Sequence, residues 1–170
     1  MPIELAFVDH LPDPAAFEVL MGEYYAVMGA KLVAAGGPEV SPEALAQDTL
    51  AQMDTLLPPQ GRTLLAHNSA GHLIGCGVIR KVRDDAAELK RMFVRPEAQG
   101  LGLGRRLFEM RLEEAKNMGC TVVYADTVKG NRAMLSMYVK LGFDYIPRYP
   151  ENANPPGLDP YLVYLSRELG

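Results

Sequence analysis

The stretch Gln99-Gly100-Leu101-Gly102-Leu103-Gly104 decides how the rest of this sequence is interpreted. An apolar-rich run over residues 89–94 comes before it, and a helical pattern over residues 105–118 comes after it. Three glycines between a strand and a helix let the backbone approach a ligand closely and leave N–H groups free at the helix N-terminus. Such a helix end attracts anions, phosphate above all. The alternative is a glycine-rich turn that only lets the helix pack on the strand.

The spacing of the glycines excludes two common phosphate-binding loops. A P-loop ends in Gly-Lys-Ser/Thr, whereas two arginines follow Gly104. A dinucleotide fingerprint needs the spacing G-x-G-x-x-G, which Gly100-x-Gly102-x-Gly104 lacks. The stretch matches instead the pattern Q/R-x-x-G-x-G/A, through Gln99, Gly102 and Gly104.

This pattern resembles the acyl-CoA pyrophosphate loop of the GNAT N-acetyltransferases, and the resemblance extends beyond the loop. Residues 87–96 resemble the family's fourth strand, which leads directly into that loop. Further along, Asn131, Tyr138, Gly142 and Phe143 reproduce the family pattern N-x6-Y-x3-G-F. Two separated motifs in the right order are stronger than either alone. The close resemblance covers about residues 72 to 146, while the N-terminal third fits only in the order of its elements.

The resemblance implies that acetyl-CoA is the cosubstrate and that its phosphates bind the N–H groups of residues 100–105. The backbone at the end of the preceding strand would contact the pantetheine, although the side chains there are also typical of a core. Asn131 would contact the CoA arm and could also cap a helix, and Arg105 could instead pair with Glu109 on the surface. The implied cofactor-binding residues are Met92, Phe93, Val94, Gln99, Gly100, Leu101, Gly102, Leu103, Gly104, Arg105, Asn131 and Tyr138.

Two residues are candidates for the proton transfers of acetylation. Glu88 lies eleven residues before Gln99, the offset at which some family members place a glutamate base. The alternatives are a surface glutamate, or deprotonation of the amine through water. Tyr138 occupies the position of the family tyrosine that protonates the departing thiolate, but it also lies on the apolar stripe of its predicted helix.

The acceptor site is the least determined part of the sequence. By resemblance, it is lined by the first helical pair and by the loop before the last strand. Glu23 would suit an ammonium and Arg148 a carboxylate, but only their positions support this, and surface charges are the favoured explanation of both. The residues that these regions offer are Glu23, Tyr24, Tyr25, Arg148, Tyr149 and Asn152.

Composition bounds the class of protein. The 170 residues predict one domain over 1–170, with 48% hydrophobic and 22% charged residues. A net charge of −4 argues against nucleic-acid binding. We expect a cytoplasmic protein without a membrane segment, because neither a signal peptide nor a long apolar run is evident. Cys76 and Cys120 are predicted to be buried small hydrophobes, and the three histidines lack metal-ligand spacing, so no metal is predicted.

The periodicity predicts helices and strands that include an antiparallel meander, and the GNAT resemblance implies an α/β (α+β) fold with a mixed, mostly antiparallel central sheet flanked by helices. The predicted order is β-α-α-β-β-β-α-β-α-β-β. Asp13-Pro14 and Ser41-Pro42 begin the first two helices, and the second is predicted to run to Pro58-Pro59. A strand is predicted over residues 121–125. Five prolines between residues 147 and 160 predict a stiff loop.

The resemblance implies an enzyme that transfers acetyl from acetyl-CoA to a primary amine by direct attack in a ternary complex. The favoured acceptor is a small molecule or amino acid. A protein N-terminus or lysine is the alternative acceptor, and a non-catalytic acyl-CoA-binding regulatory module is the alternative outside enzymes. The oligomeric state is left open, with a homodimer among the options.

Overall fold

The centre of the fold is a seven-stranded mixed sheet, seen in a computed structural model that describes residues 2–170. The strands lie in the order β1-β2-β3-β4-β5-β7-β6, and all neighbours are antiparallel except β4 and β5. The predicted meander and mostly antiparallel sheet are therefore confirmed. The strands are β1 (Glu4–Val8), β2 (Gly61–His67), β3 (Leu73–Arg83), β4 (Ala86–Val94), β5 (Val122–Val128), β6 (Asp144–Ile146) and β7 (Leu162–Glu168).

The helices begin at the capping signals of the sequence. The Asp13 carboxylate accepts a hydrogen bond from the N–H of Ala16 at 3.1 Å, and the Ser41 hydroxyl accepts one from the N–H of Ala44 at 3.2 Å. A proline follows each cap at the first helical position. The helices are α1 (Pro14–Ala34), α2 (Pro42–Ala51), α3 (Met53–Leu56), α4 (Leu103–Asn117) and α5 (Arg132–Lys140).

The second helix does not run unbroken to Pro58, as the sequence predicts. It ends at Ala51, and the Gln52 N–H turns back to the Thr49 carbonyl at 3.1 Å before the short α3 begins. The change of direction lets Met53 and Leu56 pack in the same core cluster as α1. The tertiary contact thus overrides the local helical pattern.

Helices cover both faces of the sheet. Phe17, Leu20 and Met21 of α1 pack with Leu65 and Val78 on one face. On the opposite face, α4 and α5 cover the alternate side chains of the same strands, among them Leu64, Ile79 and Leu89. The two helical layers therefore approach any opening in the sheet from opposite sides.

The sheet opens between β4 and β5. These parallel strands pair only from Ala86–Val122 to Glu88–Tyr124, and then diverge while both continue. A bulge in β4 accompanies the divergence, because Arg91 and Met92 stand together opposite Gly77 of β3. Arg91 has a φ of 49°, which is uncommon for a residue other than glycine.

Candidate active site

The glycine loop has the geometry of an anion site. Gly100 and Gly102 have φ values of 80° and 77°, and a Cβ added to either would meet nothing within 4 Å. Within residues 2–170, the backbone N–H groups of residues 100–105 donate to no backbone carbonyl. Gly102 caps α4, whose first turn carries no acidic side chain. These free donors suit an anion such as the diphosphate of CoA.

Gln99 and Arg105 have local side-chain partners, and Gly104 provides clearance for the helix. The Gln99 amide donates to the Val94 carbonyl at 3.1 Å and so closes the turn after β4. Arg105 pairs with Glu109 at 2.7 Å on the exposed surface of α4, which is the alternative arrangement considered from the sequence. A Cβ on Gly104 would lie 3.3 Å from the terminal methyl of Met92, so Gly104 allows α4 to pack closely on β4.

The opening between β4 and β5 contains a cavity of about 570 Å³, which we call the splay cavity. Both diverging strands, α1, α2, α5 and residues 154–158 line it. Much of its wall is apolar, including Met28, Leu32, Val40, Met134, Leu158 and Leu162. The polar side chains on its wall include Tyr24, Arg91, Arg111, Asp126, Asn131 and Tyr138.

The side chains at the end of β4, after Arg91, pack largely in the core. Met92 and Val94 pack against the cluster that contains Leu103 and Leu107, and Phe93 packs against the α1 side. These contacts confirm that the side chains belong to the core. Past Glu88, β4 has no backbone pairing with β5, and residues 89–92 of this edge line the splay cavity.

Tyr138 lines the splay cavity although its ring belongs to the core. The ring makes edge contacts with Phe108 and Phe143, each at a centroid distance of 5.0 Å. Within residues 2–170 its hydroxyl forms no hydrogen bond, and the hydroxyl oxygen is not fully enclosed. Burial raises the pKa of the phenol, and the charge of Arg111 opposes the increase. The phenol is therefore protonated at neutral pH.

Asn131 also lines the cavity, but it does not cap α5 with its side chain as one alternative predicted. Its amide donates to Thr127 of β5 at 2.9 Å, and its carbonyl oxygen accepts from Lys31 of α1 at 2.7 Å. The side chain thus ties α1, β5 and the start of α5 together at one end of the cavity.

Glu88 is fully buried and does not line the splay cavity. One carboxylate oxygen lies 2.6 Å from Arg80 Nη2 and 3.4 Å from Lys90 Nζ. The other oxygen accepts a hydrogen bond from the Tyr149 hydroxyl at 2.7 Å. Glu88 is the last position of β4 that pairs with β5 before the strands diverge. Because both of its oxygens already have partners, it could act as a base only by passing a proton through them or through water, and that role stays a prediction.

Asp126 is a cavity-facing carboxylate that the sequence interpretation missed. One oxygen accepts from the side-chain amides of Asn152 at 2.8 Å and Asn154 at 3.0 Å. Within residues 2–170 the other oxygen has no hydrogen bond, and it is not fully enclosed. Burial raises the pKa of Asp126, while the charge of Lys90 opposes the increase. A strand predicted to end at Ala125 left Asp126 outside the sheet, whereas β5 runs to Val128.

Two arginines on the cavity wall were also missed. Arg91 sits in the β4 bulge, and its Nε donates to Tyr25 and Thr49, each at 3.1 Å. Arg111 of α4 is 1% exposed and donates to the carbonyls of Leu107 and Val78. The periodicity marks positions on a face, but it does not reveal a bulge or a cavity that such a side chain enters.

The charged residues proposed for the acceptor from sequence position have other partners. Glu23 forms an ion pair with Arg95 at 2.6 Å. Arg148 donates to the carbonyls of Asn152 and Asn154, and neither Glu23 nor Arg148 lines the cavity. Tyr24 and Tyr25 do line it. The 147–161 loop is instead held to the sheet by Arg148, which donates to the Tyr164 hydroxyl of β7, and by Tyr149 and the two asparagines.

Residues 2–170 contain neither a membrane-spanning helix nor a cluster of metal ligands. No helix there combines the length and apolar character needed to cross a bilayer. No group of three or more His, Cys, Asp or Glu side chains lies together as a metal-ligand set in that part of the chain.

Comparison with known proteins identifies the family. The model of the acetyltransferase (GNAT) family matches residues 28–143. An IAA acetyltransferase from Azospirillum brasilense is 35% identical over 121 residues, which cover 71% of this chain and 76% of that protein.

Solved structures share the whole fold. An acetyltransferase from Streptococcus agalactiae aligns with a TM-score of 0.78 at 23% identity and covers 98% of both chains. The PaiA N-acetyltransferase of Thermoplasma acidophilum, solved with coenzyme A, aligns with a TM-score of 0.74 at 17% identity over 99% of this chain and all of that one. The chain belongs to the acetyltransferase (GNAT) family and is an acetyl-CoA-dependent N-acetyltransferase.

Proposed function

We propose that this enzyme transfers acetyl from acetyl-CoA to the primary amine of a small molecule by direct attack in a ternary complex. The observation that carries the proposal is the splay cavity. Tyr138 and Asp126 both line it, together with the part of β4 that is not paired with β5. The glycine loop lies at the N-terminus of α4, whose buried side supports that edge.

The donor is held by backbone groups in this account. The N–H groups of residues 100–105 bind the diphosphate, and the open backbone of Met92, Phe93 and Val94 contacts the pantetheine. Asn131 is proposed to contact the CoA arm from the other side of the cavity. The thioester supplies an activated acetyl group, and N–H groups of the β4 edge can stabilise negative charge that develops on its carbonyl oxygen.

The acceptor amine must be neutral to attack, and a free alkyl amine has a pKa near that of lysine, about 10.4. A carboxylate beside it therefore assists by accepting a proton. We propose Asp126 for this step, because one of its oxygens faces the cavity. Glu88, predicted from the sequence, remains the rival base and would act through Tyr149 or water.

Tyr138 is proposed as the acid. Its protonated phenol can donate to the thiolate of CoA as the acetyl group leaves, and its position is fixed by Phe108 and Phe143. Direct attack is favoured over an acyl-cysteine route, because burial raises the pKa of Cys76 to about 12 and its thiol faces the Arg91 carbonyl.

A small acceptor fits the walls of the cavity better than a protein segment does. Helices α1 and α2 and residues 154–158 border it, and the 147–161 loop is tied down at several points. A protein N-terminus or lysine would have to enter past these elements. We propose that the protein is cytoplasmic, a compartment that suits its two buried free cysteines. We also propose that it binds neither nucleic acid nor a membrane.

An amine panel tests the proposal. Acetyl-CoA is incubated with the enzyme and single acceptors: amino acids, their amides, polyamines, arylamines and lysine-containing peptides. Thiol release is followed, and the acetylated product is identified by mass spectrometry. We expect a small amine to be acetylated with release of one CoA per product. Turnover only with peptides would favour the protein-acetylating alternative, and binding of acetyl-CoA without any turnover would favour the regulatory module.

A further inference from the structure

Arg91 places a positive charge on the cavity wall without an acidic partner. Its Nε donates to the hydroxyls of Tyr25 and Thr49, which are neutral. Its Nη1 is enclosed by the protein, whereas its Nη2 is not fully enclosed and has no hydrogen-bond acceptor among residues 2–170, so Nη2 is the nitrogen that can reach an anion in the cavity. Within the same residues, no carboxylate lies within ion-pair distance of the guanidinium. A partly buried guanidinium with unpaired N–H groups is stabilised when an anion binds it, because the anion supplies both the missing hydrogen-bond acceptors and the opposite charge.

The other arginines near the site differ in this respect. Arg95, four residues further on, is paired with Glu23. Arg111 donates to the carbonyls of Leu107, Val78 and Lys90 and to the Met92 sulfur. Arg91 is also held in a left-handed conformation, with a φ of 49°, by the bulge that opens the sheet. In this uncommon conformation the side chain points toward α1 and α2, where it contacts Tyr25 and Thr49.

The position of Arg91 separates it from the proposed phosphate site. Its contacts are with α1 and α2, which cover one face of the sheet. The glycine loop begins α4, which covers the opposite face. An anion at Arg91 is therefore on the acceptor side of the opening rather than at the diphosphate of CoA.

Asp126 complements Arg91 across the same cavity. It lies on β5, whereas Arg91 lies on β4, and both strands line the opening. Tyr24 is within electrostatic reach of both: burial and Tyr25 raise the pKa of its phenol, the charge of Arg91 lowers it, and that of Asp126 raises it. Asp126 suits an ammonium and Arg91 a carboxylate.

From this juxtaposition we propose that the acceptor is zwitterionic, an amino acid whose carboxylate is bound by Arg91 while its amine faces Asp126. The inference rests on the proposed function and adds the substrate class. The remaining wall, with Met28, Leu32, Val40 and Leu158, favours an apolar side chain on that amino acid.

The test compares each amino acid with its own amide. Wild-type enzyme is assayed with L-leucine, L-methionine, L-phenylalanine, β-alanine and γ-aminobutyrate, and with the corresponding carboxamides. Loss of a hydrogen-bonded charge pair corresponds to about tenfold to a hundredfold in kcat/KM. We expect at least one amino acid to exceed its amide by that factor. Amides that are acetylated as well as the acids would overturn the inference and leave the proposed function standing.

A variant assigns the discrimination to Arg91. Arg91→Gln should remove the preference for the acid over the amide, while Arg91→Lys should restore part of it through charge alone. Arg95→Gln is the matched control, because Arg95 is on the same chain segment but does not line the cavity. The acetyl-CoA-induced rise in melting temperature reports whether each variant is folded. A folded Arg91→Gln enzyme that still prefers the acid would overturn the inference. If acetyl-CoA binds but no amine is acetylated, the proposed function and the inference both fail.

Discussion

At the scale of single residues, the candidate catalytic groups differ in whether they have an atom free to bond a substrate. Tyr138 has a free hydroxyl and Asp126 a free oxygen, whereas both oxygens of Glu88 are engaged by Arg80, Lys90 and Tyr149. A group can only exchange protons with a substrate that it can reach. This difference ranks the proposed catalytic residues by geometry, independently of their position in a motif.

Tyr138→Phe tests the proposed acid. The substitution keeps the ring and its contacts with Phe108 and Phe143 but removes the proton. We expect kcat to fall by about 10²–10⁴-fold with little change in acetyl-CoA affinity, because this is the usual contribution of an acid–base group. Steady-state kinetics and equilibrium binding measure the two quantities. Full activity in the variant would leave Tyr138 as a core residue only.

Asp126→Asn and Glu88→Gln distinguish the two candidate bases. Burial raises the pKa of Asp126 above its ordinary value of 3.8, so activity due to this base should increase as the pH rises through that raised pKa. Without the base, the amine must lose its own proton. The ascending limb of kcat/KM should therefore move to higher pH in Asp126→Asn.

The same measurement on Glu88→Gln provides the comparison. If Asp126 is the base, the pH profile of Glu88→Gln keeps its ascending limb, although its stability falls because Tyr149 and Arg80 lose a charged partner. A shifted limb in Glu88→Gln together with an unshifted limb in Asp126→Asn would assign the base to Glu88, as the motif spacing predicts.

At the scale of elements, the distance between β3 and α4 depends on one missing side chain. A Cβ on Gly77 would lie 2.7 Å from Arg111 Nε and 2.9 Å from its Cζ. Arg111 is buried, and hydrogen bonds to the carbonyls of Leu107, Val78 and Lys90 hold its guanidinium, so it has little freedom to move away. Gly77 therefore leaves the space that the buried Arg111 side chain of α4 occupies, next to the bulge in β4.

Gly77→Ala should destabilise the fold by about 1–3 kcal/mol, the usual range for overpacking a core. Gly22→Ala is the matched control, because Gly22 lies inside α1 and an added Cβ meets nothing within 4 Å. The control should gain about 0.5–1 kcal/mol from helix propensity. Urea unfolding measures both. Equal stability of Gly77→Ala and the wild type would refute the clearance argument.

The local signals predicted where elements begin better than where they end. Asp13-Pro14 and Ser41-Pro42 fixed the starts of α1 and α2, because caps act within a few residues. The end of β5 was wrong by three residues, because Asp126 and Val128 join the sheet through pairing with Tyr164 and Leu162 of β7. Pairing between segments distant in sequence leaves little trace in local composition.

The same distinction explains which parts of the site were predictable. The glycine loop, Asn131 and Tyr138 belong to motifs with fixed spacing, and Asn131 and Tyr138 line the cavity. Arg91 and Asp126 depend on where β4 bulges and where β5 separates from it, which is a property of the sheet. Their roles could not be read from periodicity, since an arginine or aspartate in a strand is usually a solvated side chain.

At the scale of the whole molecule, the divergence of β4 and β5 separates the proposed donor side of the sheet from the proposed acceptor side. Helices α4 and α5 with the glycine loop cover one face, and α1 and α2 with Tyr25 and Thr49 cover the other. The splay cavity connects the two. Direct transfer needs such a passage, because the two substrates must meet while each is held by its own set of residues.

The most direct test of this account is the change in melting temperature caused by acetyl-CoA, measured for the wild type, Gly102→Asp and Gly71→Asp. Gly71 is a matched control, because its φ is 82° against 77° for Gly102, and an added Cβ meets nothing within 4 Å at either position. Both variants carry the same backbone strain and the same added charge, but only Gly102 lies at the proposed diphosphate site. A ligand that binds only the native state must stabilise it. We predict that acetyl-CoA stabilises the wild type and Gly71→Asp and leaves a folded Gly102→Asp unchanged, whereas equal stabilisation of all three would contradict the placement of the donor.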